Sequence, residues 1–87
     1  MRESIIQSRV TRDARSKGWT AYKWSSPGRR AVPDYIYVKN AVWIVIEYKA
    51  TGETPTDAQL YEHKQLAKQG IIVHVIDSIE DGVKLFT

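Results

Sequence analysis

Pro33-Asp34-Tyr35-Ile36-Tyr37-Val38-Lys39-Asn40-Ala41-Val42-Trp43-Ile44-Val45-Ile46-Glu47-Tyr48-Lys49 contains two runs of β-branched and aromatic residues, interrupted only at Lys39, Asn40 and Ala41. That pattern predicts a β-hairpin, with Asn40 as the turn residue that tolerates positive φ. If the loop is Asn40-Ala41, Lys39 pairs with Val42, and counting outward sets Asp34 opposite Glu47. A three-residue loop would set Asp34 against Ile46 and lose the pairing.

Two carboxylates facing each other across a ladder, with Cβ atoms about 4.5–5.5 Å apart, repel and weaken the sheet. A divalent cation between them removes the conflict, because Mg²⁺ accepts carboxylate oxygens at about 2.0–2.1 Å while keeping several waters. Lys49 lies two residues past Glu47 and emerges on the same face. Acid, acid and lysine at the end of an apolar strand mark this hairpin as the candidate site.

The chain around it is small. Its 87 residues fit a single domain, 1–87, that is 43% apolar and 26% charged, a globular composition. A core of this size is marginal, so oligomerisation is expected to add buried surface. There is no cysteine, which excludes disulfides and thiolate metal sites. No apolar run approaches a membrane span and no signal-like h-region follows Met1, so the expectation is a cytoplasmic protein without a membrane partner.

Charge is unevenly distributed. The net +3 divides into +6 over residues 1–30 and −3 over residues 31–87. A basic first third suggests a polyanionic partner, with nucleic acid the usual one. The plain alternative is a solvated basic helix.

Residues 3–17 predict an amphipathic helix closed by Gly18. A Ser4–Gln7 capping box would start it a little later. Ile6, Val10 and Ala14 share one face, and Arg12 and Arg15 point away from it. Glu3 falls on the apolar face, either as a solvated helix start or as a carboxylate aimed into the site; the second is favoured because the hairpin already supplies two ligands. Trp19 to Trp24 predict a first strand at a sheet edge. The loop Ser25 to Arg30 would bring Arg29 and Arg30 beside the carboxylates, where the planar guanidinium fork suits phosphate oxygens; a solvated turn is the bland reading.

The arm Val42 to Ile46 is apolar on both faces and predicts a central, doubly covered strand. Tyr35 and Tyr37 share the face opposite Asp34, and Tyr48 lies with Ile44 and Ile46 as core. Thr54, Pro55 and Asp57 predict a helix with Thr54 as cap, Pro55 at N1 and Asp57 at N3, running to Gln69 with Gly70 as its stop. Gln59 would look back at the site from the first turn, and His63 is expected to be the more exposed of the two. Ile71 to Ile76 predict a buried strand parallel to the second hairpin arm through a right-handed crossover. His74 within it reads as a satisfied core histidine, and residues 77–87 as a short closing helix or turn.

This order, helix, strand, hairpin with Pro33-Asp34 and Glu47-Tyr48-Lys49, helix, strand, resembles the PD-(D/E)xK nuclease superfamily. Within it the chain resembles the virus-type replication-repair nuclease (VRR-NUC) family in its stand-alone form. The resemblance rests on Glu3, Gly28, Pro33-Asp34, Asn40, Ile46 to Ala50, Thr54 to Gln59, Leu66 and Gly70, and it covers nearly the whole chain. It departs at Asn40-Ala41, where Asn-Gly would suit the turn better, and at Arg29-Arg30-Ala31, a small insertion.

The resemblance implies an α/β, restriction-endonuclease-like αβββαβ core, with a mixed sheet flanked by helices. It implies a DNA endonuclease dependent on Mg²⁺ or Mn²⁺, with Asp34, Glu47, Lys49 and Gln59 catalytic. Asp34, Glu47, the Tyr48 carbonyl and Glu3 would be metal ligands. Lys23, Arg29, Arg30, Arg12 and Arg15 would contact the DNA backbone. Stand-alone members of the family behave like Holliday-junction resolvases, which implies a homodimer cutting four-way junctions with no organic cofactor. A non-catalytic basic nucleic-acid-binding module and a sequence-specific restriction-type enzyme are the rival readings.

Overall fold

A computed structural model describes all residues 1–87. In chain order the elements are α1 (Glu3–Ser16), β1 (Thr20–Lys23), β2 (Tyr35–Lys39), β3 (Val42–Tyr48), α2 (Asp57–Lys68), β4 (Val73–Ile76) and α3 (Ile79–Lys84). The sheet order is β1-β2-β3-β4, antiparallel except for the parallel β3–β4 pair. This is the expected αβββαβ core with a closing helix added. β1 lies at an edge and β3 inside the sheet, as the residue patterns imply.

The turn follows the two-residue count: Asn40 and Ala41 have φ of 50° and 65°, and Lys39 pairs with Val42. Both central residues are left-handed, as a type I′ turn requires. The register continues through Tyr35↔Ile46. One residue further the chain bends, and the Asp34 amide donates to the Ile46 carbonyl at 3.0 Å.

Alternation along β2 and β3 gives the sheet two unlike faces. One carries Tyr37, Ile46 and Tyr48, which pack with Ile6, Val10 and Ala14 of α1 and with Trp19, Ile76 and Phe86 into the core. Its polar atoms are paired: the Tyr37 hydroxyl lies 2.7 Å from both Thr11 Oγ1 and the Tyr48 hydroxyl. Burial raises the pKa of both tyrosines, so both stay protonated. α3 crosses α1 at Gly82, where an added Cβ would lie 2.5 Å from Val10.

Several expectations are corrected. α1 begins at Glu3 with Arg2 as its cap and no side-chain cap bond, so Ser4 and Gln7 form no capping box. β3 is covered only in its second half; Val42 and Trp43 are exposed, because neither helix layer extends to the turn end. β4 is shorter than expected, with Ile71 and Ile72 outside it. α2 is capped by Thr56 rather than Thr54. The Gln59 amide N–H donates to Thr56 Oγ1 and Gln59 Oε1 accepts from the Thr56 amide, a reciprocal box that outcompetes the earlier threonine. No helix is long and apolar enough to cross a membrane.

Candidate active site

Glu47 is the centre of the second face. It sits near the end of β3, paired with Val75 of β4, and is only 1% exposed. A carboxylate this buried is costly to ionise, and its pKa is raised to about 8. Burial is the largest cause, followed by a hydrogen bond and charge repulsion from the Asp34 carboxyl. The two acids therefore meet, as the hairpin count requires. The route differs: Asp34 lies in the bend just beyond the ladder, where its Oδ2 accepts a 2.7 Å bond from the Tyr48 amide. That bond stands in for the missing ladder bond and fixes the carboxyl beside Glu47.

Lys49 is half-buried past the end of β3, its amide donating to Ile76 at 2.9 Å. Its positive charge opposes the rise in the Glu47 pKa and lowers that of His63, acting on both across space. Tyr48 contributes its side chain to the core, and only its backbone faces this end of the strand.

α2 completes the site. Because the capping box claims Gln59 Oε1, the amide nitrogen remains free to donate to Glu47 Oε2, at 3.3 Å. One turn on, His63 Nε2 lies 3.4 Å from Glu47 Oε1. His63 is thus not the exposed residue of the pair: its side chain is 13% exposed and meets the same carboxyl. Desolvation lowers its pKa, so the contact is a hydrogen bond from a neutral ring and not an ion pair. The i, i+4 spacing of Gln59 and His63 was the available sequence signal.

The remaining candidates are less close. Glu3 is exposed at the start of α1 and acts on Glu47 only through weak repulsion. No three acidic or histidine side chains gather into a metal cluster. Arg29 is not beside the carboxylates: its Nε and Nη2 donate to Glu62 at 2.9 and 2.7 Å. Lys23 and Arg30 are exposed, at the end of β1 and in the following loop. Arg12 and Arg15 are exposed on α1, in the helix layer packed on the opposite face of the sheet.

An α/β domain with acids from a bend and a neighbouring strand, and a lysine two residues on, has the architecture of a PD-(D/E)xK-type nuclease. The comparisons narrow the class. Over 79 residues, 90% of this chain and 85% of the relative, it is 44% identical to a protein named "Putative nuclease p44" of Acyrthosiphon pisum secondary endosymbiont phage 1. A solved VRR_NUC domain superposes with a TM-score of 0.86 at 28% identity, over 95% of this chain and 91% of that one. A second, a VRR_NUC domain protein, shares the fold with a TM-score of 0.77 at 19% identity, over 98% and 84% of the two chains. No family model matches the sequence. The chain belongs to the VRR-NUC family of nucleases.

Proposed function

We propose that this protein is an endonuclease that hydrolyses DNA phosphodiester bonds with the help of Mg²⁺ or Mn²⁺, acting as a homodimer on four-way junctions. The observation that carries the reading is the half-buried Asp34 carboxyl held against the buried Glu47 carboxyl, with Lys49 two residues further on. Like-charged carboxyls held together at the cost of a raised pKa fit a hard cation, which would neutralise both. Two carboxylates are a sparse ligand set, as suits a cation that retains water and takes oxygens from the phosphate. Asp34 and Glu47 would hold the ion, with the Tyr48 carbonyl as a further oxygen donor and Glu3 adding negative charge nearby.

When bound, the ion supplies positive charge against the phosphoryl oxygens and makes a water more acidic. Lys49 then offsets negative charge that grows on the phosphate as the water attacks, a role that needs a cation fixed at that point. Gln59 and His63 hold the Glu47 carboxyl in one orientation. Lys23 and Arg30, exposed near the bend, are suited to backbone phosphates, which position DNA without reading its sequence. Arg12 and Arg15 would serve DNA that wraps past the sheet edge.

Dimerisation is supported by the small core and by exposed Val42, Trp43 and Ile72 toward the turn end of β3 and the start of β4. A twofold pair of sites suits a substrate of matching symmetry. The test is cleavage of synthetic junction, flap, single-strand and linear duplex substrates, with and without Mn²⁺, alongside light scattering for mass. Junction cutting in symmetric pairs by a dimer is expected. Equal degradation of linear duplex would refute the junction preference, and indifference to divalent cations would refute metal-dependent catalysis.

A further inference from the structure

α2 is held in an unusual way. Its only buried residue is Glu62, while Leu60 and Tyr61 are exposed. Half-buried Leu66, facing Trp24 and Val32, is its main apolar contact, so hydrophobic burial fixes the helix only in part and polar anchors must do more. Three are present: Gln59 to Glu47, His63 to Glu47, and the two-bond fork from Arg29 to Glu62.

The fork is the shortest and most directional. Two parallel N–H···O bonds set the separation and the plane of the groups, which one ammonium cannot do. The Glu62 side chain is 7% exposed and that of Arg29 55%, so the carboxylate is the enclosed partner and the arginine closes over it. Each group supports the other's charge: Glu62 raises the pKa of Arg29, and Arg29 lowers that of Glu62. Glu62 precedes His63 and lies three residues after Gln59, so displacement of Glu62 moves both contacts to Glu47. Arg29 comes from the loop between β1 and β2, the same loop that ends in the Asp34 bend.

We infer that the Arg29–Glu62 pair is a positioning latch: it ties the β1–β2 loop to α2 and thereby holds Gln59 and His63 on the Glu47 carboxyl. Arg29 acts through Glu62 and is not a phosphate clamp. The link to cleavage rests on the nuclease reading above. The position of α2 can be tested separately.

The variants are Arg29→Lys, Glu62→Gln and the exchanged pair Arg29→Glu with Glu62→Arg. For the latch, each single change lowers kcat for DNA cleavage about 10–100-fold with DNA affinity unchanged, the scale of a small misplacement at a reacting centre. Hydrogen exchange of amides 57–68 quickens in both single variants, and the exchanged pair slows it again and recovers cleavage. A phosphate clamp gives the opposite pattern: Glu62→Gln frees the arginine and tightens DNA binding, Arg29→Lys is nearly neutral in kcat, and the exchanged pair binds DNA worse. That pattern, or α2 exchange indifferent to Arg29, would overturn the latch. Arg29-dependent protection of α2 in a protein that cleaves no DNA with any divalent cation would support the tether and overturn the nuclease reading instead.

Discussion

The two faces of the sheet are built from the same strands on opposite principles. On one face, Ile46, Tyr37 and Tyr48 meet α1 and α3 in a dry core whose hydroxyls are all partnered. On the other, Glu47 is equally buried, yet its neighbours are a second acid, an amide and an imidazole from a helix with little apolar anchoring. Successive residues of β3 thus point to opposite environments: Ile46 and Tyr48 into the apolar core, and Glu47 between them into the proposed site. A sheet can spend stability on one side because the other side supplies it.

The sharpest test of this division is to change each face and ask which property fails. Asp34→Asn and Lys49→Ala should lower cleavage by at least about 10²–10³-fold, the scale for loss of a fixed charge at the reacting centre. Neither should lower the melting temperature much; DNA binding should persist in a gel-shift assay. A neighbouring change on the other face should do the reverse. Ile46→Ala removes fully buried carbon and should cost about 2–5 kcal/mol in chemical denaturation. Trp43→Ala, on the same strand but 61% exposed in a single chain, should stay within about 0.5 kcal/mol at dilutions where the protein is monomeric, and should weaken the proposed dimer. If the Trp43 variant is as unstable as the Ile46 variant, the turn end of β3 is covered in solution, most simply by a second copy.

Smaller and conditional is the effect of pH. The folded pKa of Glu47, about 8, exceeds its ordinary value of 4.5, so between these pH values the folded state keeps a proton that the unfolded state has lost. Stability of the metal-free protein should therefore be fullest below about pH 4.5 as far as this group is concerned, and fall as pH rises to about 8. Thermal melts in chelator should show that decline, Glu47→Gln should flatten it, and Mg²⁺ or Mn²⁺ should restore most stability at the alkaline end. A melting temperature that climbs through this window in wild type but not in Glu47→Gln would contradict the burial of an acid beside an acid.

A further small change lies at the turn joining β2 and β3. Ala41 occupies φ 65°, which costs an L-residue of this kind about 1–2 kcal/mol relative to a right-handed conformation. Ala41→Gly should stabilise the hairpin by about 0.5–1 kcal/mol without affecting cleavage, as equilibrium unfolding would register.

Much of the first face and the hairpin was readable in the sequence, because both depend on local rules. Period-two alternation and a two-residue loop define the register, and the spacing of Ile6, Val10 and Ala14 defines the packed side of α1. The site was readable only as far as that register extends. The Asp34 bend depends on a side chain replacing a ladder bond at Tyr48, which no periodicity reports. The cap of α2 was ambiguous because two threonines flank Pro55, and the choice falls to the one three residues before Gln59. Arg29 and Glu62 are 33 residues apart, and a basic loop by itself cannot reveal that its arginine already has a partner.

A helix secured at positions 59, 62 and 63 leaves its outer surface free to be rewritten. Lys64 is exposed there, and the chain contains no cysteine. A single thiol introduced at Lys64 would be the only one in the molecule, a unique attachment point for a dye or spin label. From that position the label would report whether the helix moves when Mg²⁺ or DNA is added, while leaving the carboxyls and the lysine untouched.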